Sequence, residues 1–164
     1  MTKPTTTARE SQLAAETGES LHLSPLATDL GFLLARANAL SLAASNAALT
    51  KHGLRVRSYS VLALAAGGGR PSQREIADFL LLDPSQVVAL VDDLESRGLL
   101  RREPDPKDRR ANVVVVTNEG AALFDRAEAS AHAAQRDFCR SLTVTQQDQL
   151  AVLLRTLAFP GGVV

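Results

Sequence analysis

Apolar positions in the middle of the chain recur at helical spacing in two short, adjacent stretches. Ser72 and Glu75 are spaced as a capping box, in which each side chain satisfies a backbone N–H of the other residue. Asp83 is a suitable N-cap for a second helix, and Pro84 is a suitable first residue. The pattern predicts two short helices joined by a tight turn, with inward-facing residues Ile76, Ala77, Phe79 and Leu80 in the first and Val87, Leu90, Val91 and Leu94 in the second.

After the second helix the pattern changes to that of a β-hairpin. Gly98 stands where a left-handed residue ends a helix. Leu99 and Leu100 begin a strand, and the β-branched run 113–116 forms its partner. The turn between them, 103–110, holds two prolines and many charges, which predict an exposed tip. This order of elements is that of a winged helix-turn-helix, whose second helix enters the major groove of DNA.

Further helical patterns flank this unit on both sides. Residues 26–51 predict a helix that is apolar over more than one stripe, and residues 57–66 predict a shorter helix. Thr117 caps a helix that continues to about Leu142, and Thr145 and Asp148 are spaced as a capping box for a last, leucine-rich helix. Apolar faces at both ends of the chain need a partner, so we expect a homodimer.

The predicted fold class is therefore mainly α with a small β-wing, a winged helix-turn-helix within a helical homodimer. Residues 1–25 are rich in Thr, Ser and Glu and predict a flexible N-terminal tail. Residues 26–52 and 117–158 form the predicted helical dimerisation region. Residues 53–116 form the predicted DNA-binding region.

The net charge of the chain does not favour DNA binding. The formal net charge is zero, and residues 70–110 hold eight basic and nine acidic residues. The excess is local, because residues 101–110 hold five basic and three acidic residues. Asp92 and Asp93 would repel phosphates, so we expect them to face other side chains of the same domain. Binding would then rely on a few placed arginines and on helix N-termini.

Several other classes of protein find no support in the sequence. No apolar run approaches the roughly 18 residues of a membrane helix, no secretory signal is evident, and one cysteine excludes an intramolecular disulfide, so we expect a cytoplasmic protein. The glycines at 67–69 lack the Lys-Ser/Thr of a phosphate-binding loop and predict a connector. The three histidines have no metal-ligand spacing, and no catalytic motif appears. We therefore expect that the protein is not an enzyme and that it binds no cofactor.

Five segments carry a resemblance to a known family when their order and spacing are taken together. They are VRSYSVLAL (56–64), REIADFL (74–80), DPSQVVALVDDLESRGLLRR (83–102), DPKDRR (105–110) and the strand that leads into TNEG (117–120). The chain resembles the MarR family of bacterial transcriptional regulators over about residues 26–158. The resemblance implies a winged helix-turn-helix homodimer that represses transcription until a small molecule binds or a cysteine is oxidised.

The second helix and the wing tip supply the candidate DNA contacts. Gln86 can bond adenine, and Val88 can meet a thymine methyl group. Many relatives carry Thr and Arg at the positions of Val88 and Ala89, and this departure shifts the expected reading toward the wing and DNA shape. The resemblance implies that Asp108 positions Arg110 for the minor groove. The full predicted set is Arg57, Ser72, Gln73, Arg74, Ser85, Gln86, Val88, Ala89, Lys107, Asp108, Arg109 and Arg110.

The effector site is less defined by the sequence. Relatives often bind phenolic or aromatic carboxylate ligands, and the candidate residues here are Arg36, Asn38, Ser41, His52, Arg55 and Tyr59. Tyr59 is also explained by core packing, and His52 by the end of a helix. Two alternatives stay open, a redox regulator that uses Cys139 and a dimeric interaction module that has lost DNA binding.

Overall fold

The computed structural model describes residues 24–106, 108 and 111–162, so most of the predicted tail lies outside the described residues. A 3-10 turn at Pro25–Thr28 precedes the first helix. The elements that follow are α1 (Leu30–Thr50), α2 (Val56–Ala66), α3 (Gln73–Leu80), α4 (Pro84–Ser96), β1 (Leu100–Pro104), β2 (Asn112–Val116), α5 (Asn118–Phe138) and α6 (Val144–Ala158). The chain divides into two compact units between Ser41 and Leu42, within α1. The fold class is confirmed as mainly helical with a small antiparallel wing.

The helix-turn-helix is capped as the sequence predicts. Ser72 accepts a hydrogen bond from the backbone N–H of Glu75, whose carboxylate in turn accepts from the backbone N–H of Ser72. Asp83 caps α4 through the backbone N–H of Ser85. Gly98 adopts a φ of 69°, which a residue without a Cβ tolerates best.

The wing is a two-stranded hairpin with an added partner on one edge. β1 and β2 pair antiparallel from Leu100 opposite Val116 to Pro104 opposite Asn112. On the other edge of β2, the backbone N–H of Val114 donates to the carbonyl oxygen of Pro71 at 2.8 Å. The segment before α3 is thereby fixed to the wing, so the wing and the helix-turn-helix form one piece.

The hydrophobic core lies between the helix-turn-helix, the wing and the neighbouring helices α2 and α5. α2 packs against both α4 and α5, and α4 packs against α3 and β1. The largest fully buried side chains are Leu49, Leu54, Val61, Leu62, Ile76, Val87, Val91, Leu94, Leu100 and Val114. They are aliphatic, as the low aromatic content of the chain requires.

Gly120 allows the first turn of α5 to pack against the start of the wing. Thr117 caps α5 and donates its hydroxyl to the carbonyl oxygen of Gly98 at 2.7 Å. A Cβ at Gly120 would lie 2.0 Å from the carbonyl oxygen of Leu99. Such a distance is impossible without backbone movement, so only glycine fits at this position.

Phe79 was predicted to face inward, and this prediction is wrong because its side chain is 58% exposed. In α3, Ile76 and Ala77 are buried and Leu80 is partly buried. At 100° per residue these three form a narrow stripe, and Phe79 lies about 100° from its centre. Its ring instead contacts that of Phe159, with the ring centroids 5.9 Å apart.

Three predicted helix boundaries are also corrected. The first helix begins at Leu30 rather than residue 26, because Asp29 accepts a hydrogen bond from the backbone N–H of Phe32. α5 ends at Phe138 rather than near Leu142. The capping box of α6 is formed by Thr143 and Gln146, not by Thr145 and Asp148. The glutamine side chain at the third helical position accepts a hydrogen bond from the backbone N–H of the cap residue, as glutamate does. Thr143 and Gln146 can therefore form the box two residues before the predicted pair.

The last helix differs from the rest because none of its residues, all of them described, is buried. Its exposed apolar side chains are Val144, Leu150, Val152, Leu153, Leu154 and Leu157. The first helix also exposes leucines, at Leu30, Leu33, Leu34, Leu40 and Leu42.

Candidate nucleic-acid interface

The N-terminal half of α4 presents one side to the core and the other to solvent. Val87 and Val91 are fully buried. Ser85, Gln86, Val88 and Ala89, four of the predicted contact residues, are exposed. This is the presentation that a recognition helix requires, since base edges can only be met by side chains with no partner in the core.

Ser85 is held by the cap of its own helix. Its backbone N–H donates to Asp83 Oδ1 at 2.8 Å, and its hydroxyl donates to the same oxygen. The hydroxyl bond, the backbone bond and a further backbone bond from Gln86 lower the pKa of Asp83. The hydroxyl proton of Ser85 is therefore engaged with Asp83, and Gln86 and Val88 are the exposed residues better placed to meet base edges.

At the start of α3, two of the three predicted contact residues have partners within the domain. The Ser72 hydroxyl donates to Glu75 Oε2 at 2.7 Å. Gln73 Oε1 accepts from Arg102 Nε at 3.0 Å. Arg74 is exposed, as is Arg57 near the start of α2. Of these residues, the two arginines have the exposure that a phosphate contact needs.

The wing tip is closed by backbone hydrogen bonds around the predicted clamp. The N–H of Asp105 donates to the carbonyl oxygen of Ala111, and the N–H of Ala111 donates to that of Asp108, both at 2.9 Å. Asp108 is exposed. The predicted contacts Lys107, Arg109 and Arg110 lie outside the described residues, so the pairing of Asp108 with Arg110 stays a prediction.

Arg102 joins the wing to both helices of the helix-turn-helix, and sequence reasoning missed it. Its guanidinium donates to Asp92 Oδ1 at 2.5 Å, to Glu95 Oε2 and to Gln73 Oε1. Its backbone N–H donates to Glu95 Oε1 at 2.9 Å. The signal available in the sequence was the strand alternation of Leu100 and Arg102, which puts the arginine on the buried face of β1.

The pKa of Arg102 reflects these contacts. Burial opposes the charged form of its guanidinium, but the hydrogen bonds to Asp92 and Glu95 outweigh this effect and raise the pKa. Arg97 pairs in the same way with Asp93, with Nη1 and Oδ2 3.2 Å apart. The expectation that Asp92 and Asp93 face side chains of the same domain is confirmed. Carboxylates paired in this way repel DNA less than their number suggests.

A second arginine cluster lies on the opposite face of β1. Glu103 accepts from Arg70 Nη2 at 2.6 Å and from Arg101 Nε at 2.5 Å. These hydrogen bonds, led by that from Arg101, lower the pKa of Glu103. Both arginines are more exposed than Arg102, so the two clusters differ in solvent access although they share a strand.

The predicted effector residues fall in both compact units. Arg36 and Asn38 are exposed and Ser41 is half-buried, all in the first unit. In the second unit, Arg55 is exposed, and its backbone N–H donates to the Ser58 hydroxyl at 2.9 Å.

His52 and Tyr59 each have a partner on α5. His52 Nε2 lies 2.9 Å from Ser130 Oγ. Tyr59 stacks on Phe124, with the ring centroids 5.7 Å apart. Desolvation, followed by the negative charge of Glu128, raises the pKa of Tyr59. Tyr59 therefore packs in the core, as its alternative interpretation allowed, and His52 forms a polar contact with α5.

The last features to consider in the described part of the chain are its free cysteine, possible metal sites and possible membrane spans. Cys139 is a half-buried free cysteine at the end of α5. No group of three His, Cys, Asp or Glu residues among the described ones can hold a metal ion. None of the described helices has the length and apolarity needed to cross a membrane.

Comparisons with known proteins agree with this geometry. A model of the MarR family matches residues 52–111. The uncharacterized HTH-type transcriptional regulator YkoM of Bacillus subtilis is 36% identical over 107 residues, which are 64% of this chain and 68% of that protein. A crystal structure of a MarR-family transcriptional regulator from Rhodococcus sp. RHA1 is 43% identical and has a TM-score of 0.79, covering 84% of this chain and 99% of that chain.

Two further solved structures contain bound molecules. CouR from Rhodococcus jostii RHA1, bound to p-coumaroyl-CoA, is 41% identical with a TM-score of 0.75, covering 86% of this chain and 99% of that chain. The MarR-family protein Rv2887 of Mycobacterium tuberculosis, in complex with DNA, is 28% identical with a TM-score of 0.67, covering 79% and 98%. This chain belongs to the MarR family of DNA-binding, winged-helix transcriptional regulators.

Proposed function

We propose that this protein is a transcriptional repressor that binds a near-palindromic operator as a homodimer and is released by a small molecule. The observation that carries the proposal is the presentation of α4. One side of this helix is anchored in the core by Val87, Val91 and Leu94, while the other side of its N-terminal half is exposed. Its later carboxylates are paired with Arg97 and Arg102, so they oppose phosphates less.

Base reading by α4 is expected to be modest. Gln86 can donate to and accept from adenine, and Val88 can contact a thymine methyl group. Ser85 and Ala89 add little hydrogen-bonding capacity, because the hydroxyl proton of Ser85 is engaged with Asp83 and alanine has no polar group. We therefore assign a large share of specificity to the wing, with Asp108 positioning Arg110 in the minor groove.

Phosphate contacts complete the proposed interface. The remaining members of the predicted set are Arg57, Ser72, Gln73, Arg74, Lys107 and Arg109, of which Ser72 and Gln73 already have partners within the domain. Arg57 and Arg74 are exposed near the starts of helices, where backbone N–H groups also favour anions. The DNA complex of the relative Rv2887 supports this kind of partner.

The exposed leucines of α1 and α6 support a homodimer. Leu30 is 75% exposed and Leu157 66% exposed, and neighbouring leucines on each helix are exposed as well. Such surfaces are costly in water, and burial would contribute about 25 cal/mol per Å² of apolar area. A second copy of the chain offers the same exposed leucines, so a homodimer can bury apolar surface of this kind. We keep residues 26–52 and 117–158 as the proposed dimerisation region.

For the effector we propose a phenolic or aromatic acid, in free or thioester form. Support comes from CouR, 41% identical over 86% of this chain, whose structure holds p-coumaroyl-CoA. Within the second unit, Arg55 and Tyr59 offer a cationic and an aromatic group suited to such a ligand. p-Coumaroyl-CoA is the first compound to test, with free coenzyme A as the control for the shared nucleotide portion.

The test begins with selection of duplexes from a random library by the purified wild-type protein. We expect enrichment of a near-palindrome, to which Arg110→Ala binds roughly five- to 150-fold more weakly, as loss of a specific contact worth about 1–3 kcal/mol predicts. Arg101→Ala, at an exposed arginine of β1 outside the predicted contact set and the proposed dimerisation region, serves as the matched control and should bind as wild type does. Failure to enrich any sequence would show an interaction module that does not read DNA.

The effector proposal is tested on the complex of wild-type protein with the selected duplex. Added p-coumaroyl-CoA should release the DNA in a concentration-dependent manner, whereas coenzyme A should not. If peroxide releases the DNA and Cys139→Ser abolishes that release, the redox alternative replaces the small-molecule one.

A further inference from the structure

From the wing, the side chain of Arg102 makes polar contacts with both helices of the helix-turn-helix. It lies on β1 and contacts Gln73 at the start of α3 and Asp92 and Glu95 on α4. Only 23% of its side chain is exposed, and three acceptors share its guanidinium. A planar guanidinium with several donors in a fixed arrangement sets the direction of its partners as well as their distance.

The neighbouring Arg101 shows how specific this arrangement is. Arg101 has the same charge and lies one residue earlier in the same strand, but it faces the other side. Its partner is Glu103, two residues along β1 itself, and 57% of its side chain is exposed. The Arg101 contact therefore fixes no helix, whereas the Arg102 contacts fix two.

The hydrogen bond from Arg102 sets the orientation of the Gln73 side-chain amide. Its Oε1 accepts from Arg102 Nε, while its Nε2 is buried and has no hydrogen-bond partner among the described residues. An unsatisfied buried donor is costly. Rotating the amide would bring its N–H groups against the Nε–H of Arg102, so the guanidinium determines the orientation of this side chain.

The position of Asp92 and Glu95 gives these contacts a consequence for DNA reading. Both residues follow the exposed N-terminal half of α4 on the same helix, and both are held by a residue of the wing. A specific complex needs α4 and the wing to reach their two grooves together, and small misplacements remove hydrogen bonds whose geometry is strict.

We propose that Arg102 is a positioning residue for sequence reading, which sets the orientation of α4 relative to the wing without contacting DNA itself. The inference rests on the proposed DNA-binding function. It assigns to Arg102, Asp92 and Glu95 a share of specificity, although two of the three carry the charge that DNA repels.

The sharpest test is the double variant Asp92→Asn/Glu95→Gln, which keeps side-chain size and removes two negative charges. Simple electrostatics predicts tighter binding to every DNA. The positioning role predicts a different result, because neutral amides hold the guanidinium less strongly. We expect the ratio of affinities for the selected and a scrambled duplex to fall about tenfold or more, even if affinity for the scrambled duplex rises.

Arg102→Met and Arg101→Met form the matched pair for the guanidinium itself. Arg102→Met should lower the same ratio by about tenfold or more and leave the salt dependence of scrambled-duplex binding unchanged, because no phosphate contact is lost. Arg101→Met should leave the ratio unchanged. Arg102→Lys should recover the ratio only in part, since an ammonium lacks the guanidinium geometry. Thermal unfolding of each variant verifies that folded protein is compared.

The outcomes separate this inference from the proposed function. If wild-type protein enriches no duplex, the proposed function is wrong, and the positioning role of Arg102, which depends on it, is wrong as well. If wild-type protein enriches a duplex and the double variant keeps the wild-type ratio, the function stands and the positioning role is overturned. A fall in the salt dependence for Arg102→Met would also overturn it, because that result identifies a direct phosphate contact.

Discussion

The winged-helix region buries its apolar side chains in a core, whereas the last helix leaves its apolar side chains exposed. In the former, Val87, Val91 and Leu94 of α4 are fully buried against α2, α3 and the wing. α6 has four leucines among its 15 residues, but Leu153 is 63% and Leu157 66% exposed. Apolar side chains are thus buried in a core in one region and exposed to solvent in the other.

This difference separates the region that one chain can stabilise alone from the region that we propose a second chain covers. The region that presents α4 and the wing is held by its own core and by its own arginine pairs. α6 has no buried residue, and its apolar face would be covered in the proposed homodimer. The comparison therefore predicts that core changes act on folding, whereas α6 changes act on assembly.

The largest effect should come from removing a leucine of the winged-helix core. Leu94→Ala deletes a fully buried side chain and should lower the free energy of unfolding by about 2–5 kcal/mol. The matched variant Leu153→Ala, on the exposed face of α6, should change dimer dissociation instead. Urea unfolding, at protein concentrations above and below the dimer dissociation constant, distinguishes them. Equal, concentration-independent losses would contradict the comparison.

Gly120→Ala should be the next most damaging change. Its methyl group would lie 2.0 Å from the carbonyl oxygen of Leu99, so α5 must shift away from the wing. Overpacking of this kind costs about 1–3 kcal/mol. Gly69→Ala is the control, because nothing lies within 4 Å of a Cβ there. Thermal melts that show the same midpoint for the two variants would disprove the close contact.

Leu81→Gly should stabilise the protein slightly. Leu81 has a φ of 52° and a side chain 90% exposed, so it bears left-handed strain and gains little from burial. Glycine relieves a strain of about 1–2 kcal/mol and loses somewhat less to unfolded-chain entropy, for a net gain of roughly 0.5 kcal/mol. Leu81→Ala keeps the strain and should show no gain. A lower midpoint for Leu81→Gly in urea would refute this assignment.

The smallest effect should be the pH dependence of the α4 cap. Hydrogen bonds from Ser85 hold the pKa of Asp83 below its ordinary value of 3.8. The stabilisation is therefore full above that value and is lost as the pH falls through the lower folded-state pKa. Ser85→Ala removes the largest cause, so stability measured from pH 6 to pH 2 should fall less steeply. An unchanged slope would contradict the role of Ser85.

Local chemistry made the winged helix predictable from sequence, while long-range packing did not. Ser72 with Glu75, Asp83 and Gly98 act on their own backbone neighbourhoods, so spacing alone reveals them. The contacts of Arg102 depend on which face of β1 meets which side of α4, and no spacing rule encodes that. Phe79 was misplaced for a related reason, because an eight-residue helix buries a narrower stripe than its apolar content suggests.

In the proposed complex, two copies of the winged helix read a two-fold site. The direct measurement is a hydroxyl-radical footprint on the selected duplex, combined with the mass of the complex in solution. We predict two protomers per duplex and two protected half-sites related by symmetry, about 34–36 Å apart or one turn of DNA. A single protomer that protects one asymmetric half-site would contradict binding by a homodimer.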